Sequence, residues 1–210
     1  SKGETIKEVT TVVSEEDLVL DSIDKNSKSI VRLKTLGFDG SEIFSGIGIV
    51  VSETGVIVVD SSSFTSGNYS ATFYDGTSYN ISKSYKDPNS GFTFLKIGKA
   101  ASDSYKFYPV SFGNPNSLRL GQSVIAIYGR DRNTVSIGRV SDIKKDEGGA
   151  VVQIGTDVKY IKQNLGSPIV NLSGDVVGVE KREDDVDFHS YVPISEIQKS
   201  IKTAVAELSK

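Results

Sequence analysis

Short apolar runs separated by turn residues make up most of the chain. They are rich in β-branched residues, which is typical of strands. Asp75-Gly76 and Ser173-Gly174 each separate two such runs and predict tight hairpins. The predicted strands are 43–51, 56–59, 71–74, 78–81, 92–97, 123–128, 134–143, 150–154, 169–170 and 176–179. Strands that recur this often, joined by short turns, predict an all-β barrel or sandwich.

Helical periodicity is found near each end of the chain. Ser14 and Asp17 resemble a capping box, ahead of one face with Leu18, Val19, Ser22 and Ile23. Ser195 and Gln198 form a similar S-x-x-Q pattern near the other end. The residues that recur there at helical spacing are Ile194, Ile197, Ile201, Val205 and Leu208. A stripe of this kind is also found on partner-binding helices, but we expect this helix to dock on its own domain.

Two stretches without clear periodicity divide the chain. Residues 1–13 are polar and predict a flexible lead-in. The stretch 99–109 has no strand period and separates two similar groups of predicted strands. We therefore expect a first unit over 14–105, with the N-terminal helix and one barrel. A second unit over 106–210 holds the other barrel and the C-terminal helix.

Composition excludes several kinds of function. The formal net charge is -3 and the basic residues are scattered, so no nucleic-acid partner is expected. The absence of cysteine excludes disulfides, thiolate metal sites and cysteine nucleophiles. The acidic residues within 183–187 lack the spacing of a calcium loop and favour a solvated hairpin tip, and the glycines show no phosphate-loop spacing. We therefore expect no metal and no cofactor.

Five segments, in order, are similar to motifs of the HtrA/DegP branch of the trypsin-like serine proteases. Segment 87–97 (DPNSGFTFLKI) resembles the family's D-P-x-x-D-L-A-V-L-K, and 164–171 (NLGSPIVN) resembles N-S-G-G-P-L-V-N. The other three are 45–58, 118–127 and 134–141. The resemblance covers residues 14 to 209. It implies two six-stranded β-barrels of the trypsin-like type, with a short N-terminal helix and a C-terminal helix.

The resemblance also locates the positions that carry catalysis in the family. The histidine's position, seven residues after Gly55, falls on Ser62, and the aspartate's position falls on Gly91. The nucleophilic serine's position falls on Leu165. Gln163 stands where the family has the glycine whose N–H helps bind the oxyanion. Because a serine hydroxyl needs a base before it attacks a carbonyl, this pattern predicts a pseudoprotease.

Nearby polar residues do not restore the chemistry in this interpretation. Ser61 and Ser63 flank Ser62, so a shift of one residue in the alignment still supplies no histidine. Asp87 precedes a proline and is interpreted as a turn residue. Ser167 falls on a family glycine, and the chain's single histidine, His189, is expected to be an ordinary strand residue.

Three functions follow from this pattern, and the sequence leaves them open. The first is a peptide- or protein-binding module that uses the remnant cleft, whose candidate residues are Leu165, Gly166, Ser167, His189, Ser190 and Tyr191. The second is a structural or regulatory subunit of a larger assembly. The third is a hydrolase with a rearranged site around Asp60, Ser62, Ser63 and His189.

Family membership implies a location outside the cytoplasm. No apolar run is long enough to span a membrane, and the chain opens on Ser1 instead of methionine. We therefore expect an upstream segment that is missing here and that tethers the protein to a membrane. No PDZ domain is expected after the last helix, and the sequence does not fix the oligomeric state.

Overall fold

The computed structural model describes residues 12–159, 165–181 and 189–210, with His189 described by its backbone alone. The first helix, α1, spans Glu15–Asn26. The predicted capping box is confirmed: the Ser14 hydroxyl accepts the Asp17 N–H, and the Asp17 carboxylate accepts the Ser14 N–H. The predicted lead-in falls mostly on residues 1–11, which lie outside the described residues.

The first group of strands forms a closed antiparallel barrel in the order β1-β2-β3-β6-β5-β4. Its strands are β1 Ile30–Leu36, β2 Glu42–Val50, β3 Val56–Asp60, β4 Tyr69–Thr72, β5 Ser78–Lys86 and β6 Phe92–Ile97. The Asp75-Gly76 turn between β4 and β5 is confirmed, with Gly76 N–H donating to the Phe73 carbonyl at 3.0 Å. Gly76 has a φ of +83°, a conformation that favours glycine.

The second group closes in the same way, in the order β10-β11-β12-β9-β8-β7. Its strands are β7 Ser123–Tyr128, β8 Thr134–Lys145, β9 Val151–Thr156, β10 Pro168–Val170, β11 Val176–Glu180 and β12 His189–Pro193. The predicted fold class is thus confirmed: two closed six-stranded barrels with one helix at each end of the described chain.

Strand β1 was not predicted from the sequence. Arg32 and Lys34 interrupt its apolar residues, so the segment does not look like a buried strand. Arg32 is nevertheless buried, because its guanidinium donates to the Gly129 carbonyl at 3.0 Å and to Asn133 Oδ1 at 2.7 Å. These partners follow β7, so the buried arginine joins the first barrel to the second.

The last helix, α2, spans Ile194–Leu208. The predicted S-x-x-Q cap is wrong: the N-cap is Pro193, without a side-chain hydrogen bond, and Ser195 lies inside the helix. Pro193 is both the last residue of β12 and the N-cap, and its side chain has no atom that can accept a hydrogen bond. The predicted docking is confirmed, since the apolar stripe is buried or half-buried against β5, β6, β11 and β12.

One of the two hydrophobic clusters spans both barrels, while the other lies within the first barrel. The cluster that spans both includes Ile47 and Phe92 from the first barrel and Ile125 and Val179 from the second. The segment between β6 and β7 crosses from one barrel to the other: Val110 N–H donates to the first barrel at the Val50 carbonyl, and the segment then pairs with β11. The boundary near residue 105 stays a prediction.

Candidate functional site

The first side of the candidate site, where the two barrels meet, is a short 3₁₀ turn, Ser61–Ser63, that follows β3. Asp60 begins this turn and is buried. Its Oδ1 accepts both the backbone N–H of Ser62, at 2.8 Å, and the Ser62 hydroxyl, at 2.5 Å. The exposed Ser62 side chain therefore acts as a hydrogen-bond donor within its own turn.

Gly91 lies directly beside this turn. Its carbonyl accepts the backbone N–H of Ser61 at 3.0 Å, and its φ is +76°, in the left-handed region. A Cβ placed on Gly91 would be 2.7 Å from Nζ of Lys181. The half-buried Lys181 side chain, from the end of β11, thus occupies the space into which a side chain at position 91 would extend.

The third side is the loop that contains Leu165, Gly166 and Ser167. The Leu165 carbonyl accepts the Ile47 N–H at 2.9 Å, so the loop is bonded to the first barrel. Gly166 has a φ of +87°, and a Cβ there would approach the Ile47 carbonyl closer than 3.0 Å, which Cβ atoms essentially never do. Glycine is therefore required at this position, while the neighbouring Leu165 is half-buried.

Gly46 lies where the serine turn meets this loop. A Cβ there would overlap the Ser63 side chain and would lie 3.4 Å from the Leu165 carbonyl. The Ser63 Oγ is buried and has no hydrogen-bond partner among the described residues. The structure thus brings the loops that carry Ser62, Gly91 and Leu165 together where the two barrels meet, with β2 between the serine turn and the Leu165 loop.

A buried carboxyl group lies beneath the loop and was not predicted from the sequence. Glu180 Oε2 accepts the Ser167 hydroxyl at 2.9 Å, and the Glu180 carbonyl accepts the Gly166 N–H at 2.9 Å. Burial raises the pKa of Glu180 to about 8, opposed by the Ser167 hydrogen bond and assisted by the negative charge of Asp60. The signal was present in the sequence, because a glutamate ends the otherwise apolar strand β11.

The remaining predicted binding residues lie on β12 or outside the described residues. Tyr191 pairs with Ile154 of β9 and with Glu180 of β11, so both edges of its backbone are occupied. The side chains of Ser190 and Tyr191 are buried. The backbone of His189 pairs with Thr156. Gln163 and the acidic residues within 183–187 lie outside the described residues.

Asp87 is confirmed as a turn residue. Its Oδ1 accepts the Asn89 N–H at 3.1 Å, the arrangement expected of an aspartate before a turn. Its Oδ2 accepts the hydroxyls of Ser90, at 2.5 Å, and of Ser200, at 2.7 Å. Burial acts to raise the pKa of Asp87, but these hydrogen bonds outweigh it and lower the pKa below its usual value. Asp87 therefore fixes the turn that presents Gly91 and ties it to α2.

Two closed six-stranded antiparallel barrels define a trypsin-like fold. A family model described as a trypsin-like peptidase domain matches residues 46–179, more than half of the chain. The chain belongs to this family. Curated proteins similar to it include DegP-like and HTRA1 proteases.

The relatives are bacterial and animal proteases. A DegP-like periplasmic serine endoprotease of Bartonella henselae is 34% identical over 154 residues, which cover 70% of this chain and 28% of the relative. Serine protease HTRA1 of Xenopus laevis is 28% identical over 199 residues, which cover 87% of this chain and 42% of the relative. The chain thus spans less than half the length of these relatives.

Solved structures show the same fold. The crystal structure of Deg5 superposes with a TM-score of 0.69 at 24% identity, over 90% of this chain and 94% of that one. The HtrA-type protease AlgW with decapeptide gives a TM-score of 0.72 at 16% identity, over 91% of this chain and 68% of that one. Among the described residues, no helix is long and apolar enough to cross a membrane.

Proposed function

We propose that this chain is an HtrA-type, trypsin-like domain without protease activity, which binds an extended peptide or protein segment in the cleft between its barrels. The observation that carries the proposal is the identity of the residues at the three positions that match the family's catalytic triad. They are Ser62, Gly91 and Leu165 in place of histidine, aspartate and serine.

The proposed loss of activity follows from what each position can do. Ser62 donates its hydroxyl proton to Asp60 and has no basic nitrogen with which to accept a proton from a nucleophile. Leu165 has no atom that can attack a carbonyl. Loss of triad members removes on the order of 10⁴ to 10⁶ in rate in this mechanism, so hydrolysis by this route is expected to be undetectable.

Position 91 supports the same proposal from its geometry. An aspartate there would need a left-handed backbone, which costs roughly 1–2 kcal/mol for a residue with a Cβ. It would also require Lys181 to move, since the ammonium group lies where that side chain would start. A cation beside the serine turn would further lower the proton affinity of an imidazole at position 62.

The proposed binding surface combines an apolar group with a charged one. Leu165 is half-buried at the edge of the cleft, and Lys181 follows directly after β11. Trypsin-like proteases hold extended peptides by pairing them with a strand edge, and the backbone hydrogen bonds made there do not depend on the triad. Since Tyr191 is paired on both sides, we place the bound peptide beside Lys181 and Leu165 instead of along β12.

The location and assembly of the protein are part of the proposal. The curated relatives include periplasmic DegP-like proteins, so we propose that the chain acts outside the cytoplasm, tethered by an upstream segment. In an assembly, the same cleft would hold a segment of a protein partner. A structural or regulatory role of this kind needs binding at the cleft but no hydrolysis.

Two measurements test the proposal together. Incubation with a fluorophosphonate probe and with a fluorogenic peptide library should give neither labelling nor cleavage. Either signal from the purified chain would contradict the loss of activity and favour a rearranged hydrolase.

Calorimetric titration with extended peptides should detect binding. Leu165→Asp should lower the affinity at least tenfold, whereas Leu120→Asp, at an exposed leucine of the second barrel, should leave it unchanged.

A further inference from the structure

The tip of the β1–β2 hairpin displays a phenylalanine that no other part of the protein covers. The relative exposure of Phe38 is 116%, the highest among the exposed large hydrophobic residues of the described chain. The tip is nevertheless a regular turn: Gly37 N–H donates to Ser41 O at 2.8 Å, and Gly40 N–H donates to Gly37 O at 3.0 Å. The exposure of Phe38 is therefore built into a hydrogen-bonded turn.

Asp39 strengthens the turn and adds a charge next to the ring. Its Oδ1 accepts both the backbone N–H of Ser41, at 2.9 Å, and the Ser41 hydroxyl, at 2.6 Å. These hydrogen bonds lower the pKa of Asp39, so the carboxylate is negative at neutral pH. The tip thus presents an apolar ring followed directly by an anion.

A pocket of about 530 Å³ opens beside this tip, where Leu36 of the hairpin lines it. It forms where β4 and β5 separate: they pair only between Ser70–Thr72 and Ser78–Asn80, after which β5 pairs with β6. The apolar side chains that line it are Leu36, Phe64, Tyr69 and Ile81. The Phe64 and Tyr69 rings have centroids 4.7 Å apart and are tilted by 47°, an arrangement to which another aromatic ring can add.

The charge of the pocket is opposite to that of the tip. Lys83 lines the pocket and forms no ion pair with a described residue. It lies opposite Lys96 in the β5–β6 pairing. Burial and then the positive charge of Lys83 lower the pKa of Lys96, so a carboxylate brought to this site would relieve a repulsion.

We propose that two copies of this chain associate by inserting Phe38 of each into the pocket of the other. The ring and the pocket are neighbours on the surface, because Leu36 lines the pocket and precedes Phe38 by two residues. A surface that carries both a projection and its complement can pair with itself about a two-fold axis. In this pairing Asp39 of each copy meets Lys83 of the other.

The expected association is weak. Each inserted ring buries roughly 150–250 Å², so the two rings together supply only about a quarter of the roughly 1,600 Å² of a standard interface. We therefore expect a reversible dimer with a dissociation constant of about 10 µM or higher. The inference does not depend on the proposed function of the cleft, which involves other residues.

Sedimentation velocity from about 10 µM to about 1 mM protein tests the proposal. The average sedimentation coefficient should rise with concentration for the unmodified chain. Phe38→Ser should raise the dissociation constant at least tenfold, whereas Leu120→Ser, which removes an exposed apolar side chain from the second barrel, should not change it. Thermal melting of each variant checks that the fold is retained.

Reversal of a charge in the pocket provides a second test of the dimer. Lys83→Glu places a carboxylate opposite Asp39 and should weaken the dimer, with an effect that decreases as salt is added. Lys106→Glu, at an exposed lysine that does not line the pocket, is the matched control. A chain that stays monomeric up to about 1 mM would overturn the proposal. So would a Phe38→Ser variant that dimerises normally, or equal effects of the two charge reversals.

Discussion

The backbone of the cleft and the side chains that point into it obey different constraints. At Gly166 the φ of +87° and the close approach to the Ile47 carbonyl permit only glycine. At positions 62 and 165, by contrast, the fold accepts Ser62 and Leu165 without any break in the barrels. The comparison indicates that the joint between the barrels depends on backbone geometry, whereas the chemistry of the family depends on side chains that the fold itself does not require.

The largest loss of stability is expected when Gly166, whose backbone is constrained, is replaced. Gly166→Ala combines left-handed strain with a clash against a backbone carbonyl, and should lower the free energy of unfolding by about 3–5 kcal/mol. Gly76→Ala is the matched control, since its φ is +83° but a Cβ there would have nothing within 4 Å. It should cost about 1 kcal/mol, from strain alone. Urea unfolding compares the two variants. Equal losses of unfolding free energy would mean that the clash with the Ile47 carbonyl adds nothing to the strain of the left-handed backbone.

The buried carboxyl group under the loop should make stability depend on pH. The folded-state pKa of Glu180 is raised from 4.5 to about 8, chiefly by burial, so the folded protein holds a proton that the unfolded chain releases. The stabilisation that Glu180 contributes in its neutral form is complete below about pH 4.5 and is lost as the pH rises through about 8.

Glu180→Gln should remove this dependence while keeping an acceptor for the Ser167 hydroxyl. We expect the variant to match the unmodified chain near pH 4.5 and to exceed its stability by on the order of 3 kcal/mol at about pH 9. Glu53→Gln, at an exposed glutamate, should show no such difference. Unfolding free energies measured across this pH range provide the test, and parallel pH profiles for Glu180→Gln and the unmodified chain would rule the interpretation out.

Removing the Arg32 side chain that joins the barrels should lower the free energy of unfolding less than Gly166→Ala does. Arg32→Met removes charge-assisted hydrogen bonds to the Gly129 carbonyl and to Asn133, and should cost about 2 kcal/mol of unfolding free energy. Arg119→Met removes an exposed arginine and should cost less than about 0.5 kcal/mol. If the two variants are equally stable in urea, the hydrogen bonds of Arg32 between the barrels do not contribute to the free energy of unfolding.

Most of the fold could be predicted because its determinants are local. Apolar runs bounded by turn residues gave strands such as β6 and β7 with the bounds that the structure has, 92–97 and 123–128. The Ser14 capping box and the stripe of α2 were likewise readable from spacing. Strand β1 was not, because its buried Arg32 is explained only by acceptors about a hundred residues away in the chain.

The candidate site was predicted only in part, for the same reason. The family resemblance pointed to Ser62, Gly91 and Leu165, and the structure brings the loops that carry them together. It did not point to Lys181, whose ammonium group lies against a glycine ninety residues earlier, or to Glu180, whose partners are on another loop. A glutamate at the end of the apolar strand β11 is a local signal, but the partners of Glu180 and Lys181 depend on how the barrels close and cannot be read from the sequence.

The smallest change in stability and activity is expected when a serine is restored at position 165 alone. Leu165→Ser replaces a half-buried side chain on a loop that is held by its backbone, so we expect a loss of less than about 1 kcal/mol of unfolding free energy. Ser62, at the position of the family's base, donates to Asp60 and offers no base, so the pKa of the new hydroxyl would stay far too high for attack. Labelling by a fluorophosphonate probe should therefore remain at background, as for Leu165→Ala. Labelling of Leu165→Ser above that control would mean that another group near Leu165 accepts the proton.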